Sequence, residues 1–430
     1  MGLGLLGRGV GDARYLAECA ADLIVTDLKT REELASSVAQ LESFKNITFI
    51  LGEHRLEDFR DRDLILKAAG VPLNSPFIAE AEKKGIPVRM SADLFVELAG
   101  ISVIGITGTR GKSTVTHMVA AILGEAKKLV LLGGNVRGVS NLQLLQEATL
   151  AHARLDSARQ VAVLELDSWQ LQGFGAARMS PHISVFTTFY PDHLNYYKNN
   201  LEAYLADKAN IFLYQKPEDI LILGSQCAGV VQSAYQKSFG GRFEVWGAHD
   251  LPNSWKLRIP GEHNRYNAAL ALAVARASGI PDEISRHALE SFAGVSGRLE
   301  LIAEKNGVRV YNDTTATTPE ATLAALNALD VAHTVVIAGG TDKALNLDKL
   351  VIKLKEAKWV ILLAGSGTER IRAEFPDAPV YDALAPAVAD AFTHATSGDT
   401  VLFSPGFTSF GMFKNEYDRG DQFNAFVEKL

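Results

Sequence analysis

A glycine-rich segment at residues 105–114 has the residue types and the spacing of a phosphate-binding loop. Its sequence is Gly-Ile-Thr-Gly-Thr-Arg-Gly-Lys-Ser-Thr. Backbone N–H groups of such a turn, together with the start of a helix, point at one anion. The Lys112 ammonium can reach the β- and γ-phosphates of a nucleotide, and a hydroxyl of Ser113 or Thr114 can ligate Mg²⁺. These groups predict a site for a nucleoside triphosphate.

The spacing of this loop is a variant of the general pattern. The general phosphate loop has a glycine five residues before Gly111, where this chain has Ile106. An alternative interpretation is that a glycine-rich turn only starts a helix here. That alternative does not explain why a lysine and two hydroxyl residues follow in the order that phosphate binding needs.

The elements that must hold this loop follow from hydrophobic periodicity. An apolar run at 101–106 precedes the loop, and apolar residues at helical spacing follow it at 115, 119, 122 and 123. Short β-branched or apolar runs alternate with amphipathic stretches along the whole chain. The clearest runs lie at 23–27, 102–107, 161–166, 334–340 and 359–365. This alternation predicts βαβ units with mostly parallel sheets, which is an α/β fold.

Composition limits the class of protein. The chain has 430 residues, of which 47% are hydrophobic, and this length suits two to three domains. Cys19 and Cys227 are the only cysteines, so neither a disulfide framework nor a cysteine zinc site is supported. No apolar run approaches the roughly 20 residues that span a bilayer, and no secretion signal is evident. We therefore expect a cytoplasmic protein that does not enter membranes.

The charge distribution argues against nucleic-acid binding. The formal net charge is -7, and the lysines and arginines are scattered along the chain. Such a distribution gives no broad positive field. Anionic ligands must therefore be held by local sites.

The N-terminal glycines suggest a second nucleotide motif. Gly2, Gly4 and Gly7 match the glycine spacing of a dinucleotide fingerprint, and Asp27 ends the next predicted strand. The fingerprint requires a preceding strand, and only Met1 comes before these glycines, so that strand is expected to be short or missing. From these residues alone, NAD binding and a turn that leads into a helix without any ligand both stay open.

The segment Thr107 to Thr114, with the form T-G-T-x-G-K-S-T, resembles the ATP loop of the Mur ligase superfamily. Later segments fall in the order of that family over nearly the whole chain. They include Pro191-Asp192-His193, Gly261 to Asn267, 312–319, 339–343 and 404–415. The N-terminal glycine turn, the Asn-Asp-Thr-Thr-Ala-Thr segment and the Phe-Lys-Asn-x-x-x-Arg-Gly ending resemble the D-glutamate-adding branch of the family.

This resemblance implies three α/β domains. A Rossmann-like domain at 1–91 would bind a UDP-sugar, and a P-loop ATPase-like domain with a mostly parallel sheet at 92–293 would bind ATP. A Rossmann-like domain at 294–430 would bind the amino acid. The implied reaction joins D-glutamate to UDP-N-acetylmuramoyl-L-alanine in peptidoglycan synthesis, through an acyl phosphate made with ATP. The resemblance also implies that this protein acts as a monomer.

The resemblance also implies residue roles in the ATP site. Lys112, Glu165, His193 and Lys208 would be catalytic, and Lys208 would be carbamylated by CO₂, which turns an amine into a carboxylate equivalent. The plain alternative for Lys208 is a solvated or salt-bridged lysine on a helix at 204–211. Two Mg²⁺ ions would be held by Ser113, Thr114, Glu165, His193 and Lys208. The nucleotide would contact Gly108, Thr109, Arg110, Gly111, Lys112, Ser113, Thr114, Asn264, Asn267, Arg298 and Asp313.

Two groups of residues would bind the substrates that are joined. Lys343 follows a Gly-Gly turn, and we expect a helix start there whose N–H groups add to its affinity for an anion. The residues expected to bind the UDP-sugar are Leu5, Leu6, Asp27, Lys29, Thr30, Gly70, Asn74, Ser75, Asn135, Ser168 and Gln170. The residues expected to bind the amino acid are Thr317, Lys343, Ser409 and Phe410.

This chain departs from the family pattern at three positions, and two other functions stay open. Arg110 stands where the family frequently has Asn, Gly297 where it often has His, and Thr315 where many relatives have Lys. One alternative is a Mur-type ligase for another amino acid, for which additional acidic residues near the C-terminal site would be expected. The other is a catalytically silent ATP-binding regulator, against which the intact set of expected catalytic residues argues.

Overall fold

The computed structural model describes residues 1–5, 7–19, 21–153, 159–194 and 196–430. The chain forms two compact units. The first comprises Met1–Asn253 and Asn267–Leu289, and the second comprises Ser254–Tyr266 and Glu290–Leu430. Across the described ranges, no helix is both long enough and apolar enough to cross a membrane.

Two small parallel sheets lie within the first 91 residues. One pairs β1 (Leu23–Asp27) with β2 (Ile47–Leu51), and the other pairs β3 (Ile65–Leu66) with β4 (Val88–Arg89). The helices of this segment are α1 (Arg8–Glu18), α2 (Ala35–Ala39) and α3 (Pro76–Lys83), and α4 (Ser91–Ala99) begins at its end.

Met1 and Gly2 lie between these two sheets. The Gly2 N–H donates to the Thr26 carbonyl at 2.8 Å, and the Ala68 N–H donates to the Met1 carbonyl at 2.9 Å. No strand is assigned at these residues. The expectation of a short or missing first strand is therefore confirmed, and the glycine turn leads directly into α1.

A parallel sheet of six strands forms the centre of the first unit. Its strands are β5 (Ser102–Thr107), β6 (Leu129–Gly134), β7 (Gln160–Glu165), β8 (Ile183–Phe186), β9 (Ile220–Gly224) and β10 (Arg242–Trp246), in the order β10-β9-β8-β5-β7-β6. The inner strands β5, β7, β8 and β9 are buried along almost their whole length and are mainly apolar, whereas the edge strand β10 is partly exposed. The helices of this part of the chain are α5 (Lys112–Glu125), α6 (Asn141–Ala153), α7 (Ser168–Ala177), α8 (Leu201–Ala209), α9 (Ser225–Tyr235), α10 (Glu262–Ala277) and α11 (Asp282–Ser291). The first residues of α10 and the last two of α11 belong to the second unit.

The second unit is also built on a six-stranded sheet. Five strands are parallel, and β11 (Glu300–Lys305) pairs antiparallel with β12 (Val308–Asn312). The other strands are β13 (Thr334–Gly339), β14 (Trp359–Leu363), β15 (Val380–Tyr381) and β16 (Thr400–Phe403), and the order is β11-β12-β16-β13-β14-β15. The helices are α12 (Pro319–Ala328), α13 (Asp348–Leu354), α14 (Ser366–Ile371), α15 (Leu384–His394) and α16 (Glu416–Lys429).

The predicted strands are confirmed, with small differences at their ends. The runs predicted at 334–340 and 359–365 end at Gly339 and Leu363. Gly340 and Gly365 have φ values of 139° and 153°, in a region that favours glycine. Strand pairing of β13 and β14 therefore stops before these glycines, although the neighbouring residues are apolar.

Arg419 on α16 is the largest fully buried side chain among the described residues, at 1% exposure. Its guanidinium donates to the Thr314 carbonyl at 2.6 Å, to the Thr314 hydroxyl at 3.1 Å and to the Phe407 carbonyl at 3.2 Å. Burial lowers the Arg419 pKa to about 10, so the side chain stays charged at neutral pH. It ties α16 to two loops that follow neighbouring strands.

We expect Arg419→Met to destabilise the second unit by about 2–4 kcal/mol, because these acceptors lose their donor in a buried site. Differential scanning calorimetry would show the loss as a lower transition temperature. Arg309→Met, at an exposed position of β12, is the matched control and should leave the transition unchanged. Equal transition temperatures for the two variants would contradict the assigned role.

Candidate functional site

The phosphate loop lies between β5 and α5, as the sequence predicts. Gly108 and Gly111 have φ values of 141° and 85°. A Cβ atom on Gly108 would lie 2.1 Å from the Thr187 hydroxyl oxygen, and one on Gly111 would lie 2.6 Å from Oδ1 of Asn267. Both positions therefore need glycine, and the predicted nucleotide residue Asn267 lies against the loop.

Hydrogen bonds fix the loop to the segment that follows β8. The Thr109 N–H donates to the Thr188 carbonyl at 2.7 Å, and the Arg110 N–H donates to the Thr188 hydroxyl at 2.8 Å. The Thr187 hydroxyl donates to the Arg110 carbonyl at 2.5 Å, and the Tyr190 N–H donates to the Thr109 hydroxyl at 3.0 Å. The backbone shape of the loop is thus held by the neighbouring strand end.

Two lysines donate to the same carbonyl of this loop. Nζ of Lys112 lies 3.1 Å from the Gly108 oxygen, and Nζ of Lys208 lies 3.0 Å from it. Lys208 also donates to the Thr107 hydroxyl at 3.3 Å, and its side chain is 1% exposed. The interpretation of Lys208 as a solvated lysine is therefore wrong, although the predicted helix is present as α8. Burial, and then the nearby Lys112 charge, hold the Lys208 pKa well below its usual range.

Glu165 ends β7 beside the loop. In the sheet it pairs with Ile106 of β5 and with Gly134 of β6, and its side chain is buried. A Cβ atom on Gly134 would lie 2.0 Å from the Glu165 carbonyl oxygen, and the Asn135 N–H donates to the same oxygen at 2.7 Å. The backbone of Glu165 is therefore held closely from the β6 side.

His193 lies in a loop that Arg110 holds through Asp192. A guanidinium nitrogen of Arg110 lies 3.1 Å from Oδ2 of Asp192, and the His193 N–H donates to Oδ1 of Asp192 at 2.9 Å. His193 has a φ of 53°, and its ring lies 4.7 Å from the Trp169 ring. Burial lowers the pKa of His193, with Asp192 acting in the opposite direction. A neutral imidazole, which can ligate a metal, is the expected form at neutral pH.

The Arg110–Asp192 contact gives a physical account of one departure from the family pattern. We expect Arg110→Ala to lower kcat/KM for ATP about fivefold, since a partly exposed ion pair contributes about 1 kcal/mol or less. Steady-state kinetics with varied ATP would measure the change. Arg242→Ala, on the exposed surface of β10, is the control. An unchanged kcat/KM in Arg110→Ala would show that the ion pair has no part in positioning His193.

The residues expected to bind Mg²⁺ follow strands of one parallel sheet or line its phosphate loop. Ser113 and Thr114 lie in the first turn of α5, and Glu165 ends β7. The charges of Lys112 and Glu165 act on the pKa of Lys208. Within the described ranges, no group of three or more His, Cys, Asp or Glu side chains could hold a metal ion alone. Mg²⁺ commonly uses one or two carboxylates together with phosphate oxygens and water. The small number of protein oxygen ligands at this site fits that mode of Mg²⁺ binding.

A cavity of about 770 Å³ lies in the first unit, between the N-terminal segment and the central sheet. Leu5, Gly70, Asn135 and Gln170 of the predicted UDP-sugar residues line it. The other described ones do not belong to its lining: Asp27, Lys29, Thr30, Asn74, Ser75 and Ser168. Leu6 lies outside the described residues.

Several of these predicted residues shape the backbone around the cavity. Asp27 accepts the Gly4 N–H at 3.0 Å and the Lys29 N–H at 2.9 Å, so it fixes the glycine turn. Ser168 begins α7, and the Gln170 N–H donates to Oδ1 of Asp167 at 2.8 Å to cap that helix.

The structure adds cavity residues that the sequence did not predict. Arg8 donates to Oδ1 of Asn135 at 2.5 Å, and the Ser140 hydroxyl donates to Asp12 at 2.6 Å. Lys67 also lines the cavity. The partners of Arg8 and Asp12 lie more than a hundred positions away along the chain, so local spacing carries no signal for these contacts.

In the second unit, Asp313 follows β12 and is buried. Its two oxygens accept the Ser404 hydroxyl at 2.6 Å and the Leu299 N–H at 2.9 Å. Burial raises the Asp313 pKa to about 7. Arg298 is exposed nearby in sequence, and Asn264 donates to the Pro260 carbonyl at 2.6 Å. Contacts of these residues with a nucleotide stay predictions.

The predicted amino-acid residues also lie in the second unit. Thr317 and Lys343 line one small pocket, Ser409 is buried, and Phe410 is 67% exposed. The expected helix start beside Lys343 is wrong, because the next helix, α13, begins at Asp348. Gly339 and Gly340 lead into an irregular segment, so helix N–H groups do not add to anion binding at Lys343.

At Gly297, one of the other two departures, the backbone itself favours glycine. Gly297 has a φ of 69°, and a Cβ there would lie 2.8 Å from Cγ2 of Thr314. The Thr315 hydroxyl donates to the Gly297 carbonyl at 2.8 Å. These two departures are thus in contact with each other.

Comparison with known proteins gives matches over the whole chain. A model of the Mur ligase middle domain matches residues 106–232, and a model of the Mur ligase glutamate ligase domain matches residues 297–407. A UDP-N-acetylmuramoylalanine–D-glutamate ligase of Roseiflexus sp. is 36% identical, with 100% of this chain and 98% of that protein covered. One from Streptococcus thermophilus is 33% identical, with 100% and 96% covered.

A solved structure has the same fold. It is the UDP-N-acetylmuramate–alanine ligase of Thermotoga maritima, with a TM-score of 0.64 and 18% identity. The match covers 100% of this chain and 98% of that one.

Proposed function

Because this chain belongs to the Mur ligase family, we propose that it joins D-glutamate to UDP-N-acetylmuramoyl-L-alanine in peptidoglycan synthesis, with ATP as the energy source. The D-glutamate ligases of Roseiflexus and Streptococcus support this substrate pair, since they match the chain over its full length. One observation carries the proposal: beside the end of β7, the ammonium groups of Lys112 and Lys208 both donate to the Gly108 carbonyl of the phosphate loop.

The first step phosphorylates the carboxylate of the alanyl group. The carboxylate oxygen attacks the γ-phosphorus of ATP, the bond to the β-phosphate oxygen breaks, and ADP leaves. Lys112 stabilises negative charge on the transferred group, and the loop N–H groups hold the other phosphates in place. The glutamate amine then attacks the acyl carbon, phosphate leaves with the bonding electrons, and the amine loses a proton.

We propose that Ser113 or Thr114 with Glu165 hold one Mg²⁺, and that His193 with carbamylated Lys208 hold a second. When bound, Mg²⁺ supplies positive charge that offsets the charge of the phosphates. Burial and a lowered pKa favour the neutral Lys208 amine, which is the form that reacts with CO₂. Asp192 orients His193, and Arg110 orients Asp192.

We propose three domains, at 1–91, 92–293 and 294–430, which bind the UDP-sugar, ATP and the amino acid in that order. The cavity lined by Leu5, Gly70 and Asn135 supports a UDP-sugar site in the N-terminal segment. The small pocket lined by Thr317 and Lys343 supports a glutamate site in the second unit. ATP and UDP-linked precursors belong to the cytoplasm, and we propose that the enzyme works there.

Phosphate release from ATP tests the proposed substrates. The protein is mixed with ATP and UDP-N-acetylmuramoyl-L-alanine in every reaction. Each reaction then receives one amino acid: D-glutamate, L-glutamate, L-lysine or meso-diaminopimelate. We expect phosphate only with D-glutamate. Stimulation by L-lysine or meso-diaminopimelate without any by glutamate would replace this proposal with another Mur-type ligase. Absence of phosphate release with every amino acid would instead favour a silent regulator.

A further inference from the structure

Lys67 is a buried lysine of the large cavity that the mechanism above does not use. It directly follows β3, and its side chain is 3% exposed although it lines the cavity. Its ammonium donates to the Val71 carbonyl at 3.0 Å, and its backbone N–H donates to the Arg89 carbonyl at 2.9 Å. The backbone is thus fixed by β4, while the side chain extends along the cavity wall.

The positive charge of Lys67 is only partly compensated. An ammonium has three N–H donors, and within the part of the chain that the structure describes Lys67 has one acceptor, a neutral carbonyl. The charges of Asp167, Asp93 and Asp207 act on it from a greater distance, and burial lowers its pKa to about 8. A lysine with that pKa is still mainly protonated at pH 7.

The three distant carboxylates already have closer partners. Asp93 is paired with Arg89, and Asp207 accepts hydrogen bonds from Gln172 and Tyr197. Asp167 caps α7. None of them forms a direct ion pair with Lys67, although their charges act on it from farther away, and a buried cation without a close counterion is unfavourable.

The location of Lys67 favours an anionic ligand as the missing partner. In sheets of parallel strands, ligands bind beyond the carboxyl ends of the strands. Lys67 lies at that end of β3, and the same cavity is lined by Gly4 of the glycine turn and by Arg8 at the start of α1. The lining also includes carboxylates, of which Asp12 and Asp167 accept hydrogen bonds from Ser140 and from the start of α7. The start of a helix and an arginine both favour negative charge.

We propose that Lys67 binds an oxyanion of the UDP-linked substrate and so contributes directly to its affinity. This inference rests on the proposed function. Two groups of that substrate have the required chemistry: the diphosphate and the carboxylate of the alanyl group. Either one would supply the acceptors that the Lys67 ammonium lacks.

Isothermal titration calorimetry with Lys67→Met tests the inference, since methionine keeps the length of the side chain and removes its charge. Binding is measured without ATP or glutamate, once with UDP-N-acetylmuramoyl-L-alanine and once with UDP. We expect the first ligand to bind about 10- to 100-fold more weakly, the range of a charge-assisted hydrogen bond. Weaker binding of UDP as well identifies the diphosphate, whereas unchanged binding of UDP identifies the carboxylate.

Controls separate binding from folding. Lys83→Met removes an exposed lysine from α3 and should bind both ligands like the wild type. Lys67→Arg should recover most of the lost affinity, and the KM values for ATP and D-glutamate should stay unchanged in Lys67→Met. If Lys67→Met fails to fold, Lys67→Gln removes the charge while keeping a donor for the Val71 carbonyl.

Two results would overturn the inference in distinguishable ways. If the wild type binds the UDP-linked substrate and Lys67→Met binds it within twofold, Lys67 only stabilises the loop at Val71, and the proposed function stands. If the wild type binds neither ligand, the proposed function fails together with this inference.

Discussion

Lys208→Ala is expected to lower kcat by about 100-fold or more, the scale of losing a group that supports a metal site. Lys208 is buried, and its amine contacts the Gly108 carbonyl of the phosphate loop. As a carbamate, it would place a negative group where the charges of Lys112 and Glu165 act. Steady-state phosphate release with saturating substrates measures the loss.

Rescue by small acids distinguishes the carbamate from a purely structural lysine. We expect formate or acetate to restore part of the activity of Lys208→Ala, because a short carboxylate can enter the space that the side chain leaves. Lys208→Met, which fills that space, should resist rescue. Lys216→Ala, at an exposed position, should behave as the wild type. Full activity of Lys208→Ala without any added acid would reject the role of Lys208.

Lys112→Ala is expected to lower kcat about 100- to 1,000-fold, the range measured when one preorganised donor to a transition-state charge is removed. Its ammonium lies at the turn formed by Gly108 and Thr109, where the transferred phosphoryl group would bind. The loss should appear in single-turnover experiments that follow acyl phosphate formation directly. Because the loop is also held by bonds from 187–190, the fold should survive the change.

The matched control for Lys112 is Lys128→Ala, which removes an exposed lysine beyond the end of α5. Its turnover should equal that of the wild type. Thermal unfolding of Lys112→Ala should occur near the wild-type temperature. A variant that keeps its fold and more than a tenth of the wild-type kcat would refute the assignment of Lys112 to phosphoryl transfer.

Local patterns were sufficient to predict the fold class and the phosphate loop. The glycines at 108 and 111, the lysine after them and the apolar strand before them are neighbours in sequence, so their geometry is set by short-range constraints. The strands follow from the same short-range patterns, and their ends differ from the predicted runs by one or two residues, at β7 as well as before Gly340 and Gly365.

The remaining features depend on contacts that no local pattern encodes. Helix spacing alone favours a solvated or salt-bridged Lys208, whereas packing of α8 against α7 and contacts with Thr107 and Gly108 bury it. The partner of Arg110, Asp192, lies 82 positions away. A Gly-Gly turn often leads into a helix and so predicts a helix start at Lys343, but the chain continues to Asp348 before α13 begins.

The bonds that hold the phosphate loop against residues 187–190 have a thermodynamic consequence. Ordering a flexible loop around a ligand costs conformational entropy at the moment of association. Here that cost falls on the folding of the polypeptide, since Thr109 and Arg110 are fixed by Thr187 and Thr188. The loop should therefore lose little conformational entropy when a nucleotide binds. Thr188→Ala should make the entropy of nucleotide binding less favourable, because it frees the loop while leaving the charged groups in place.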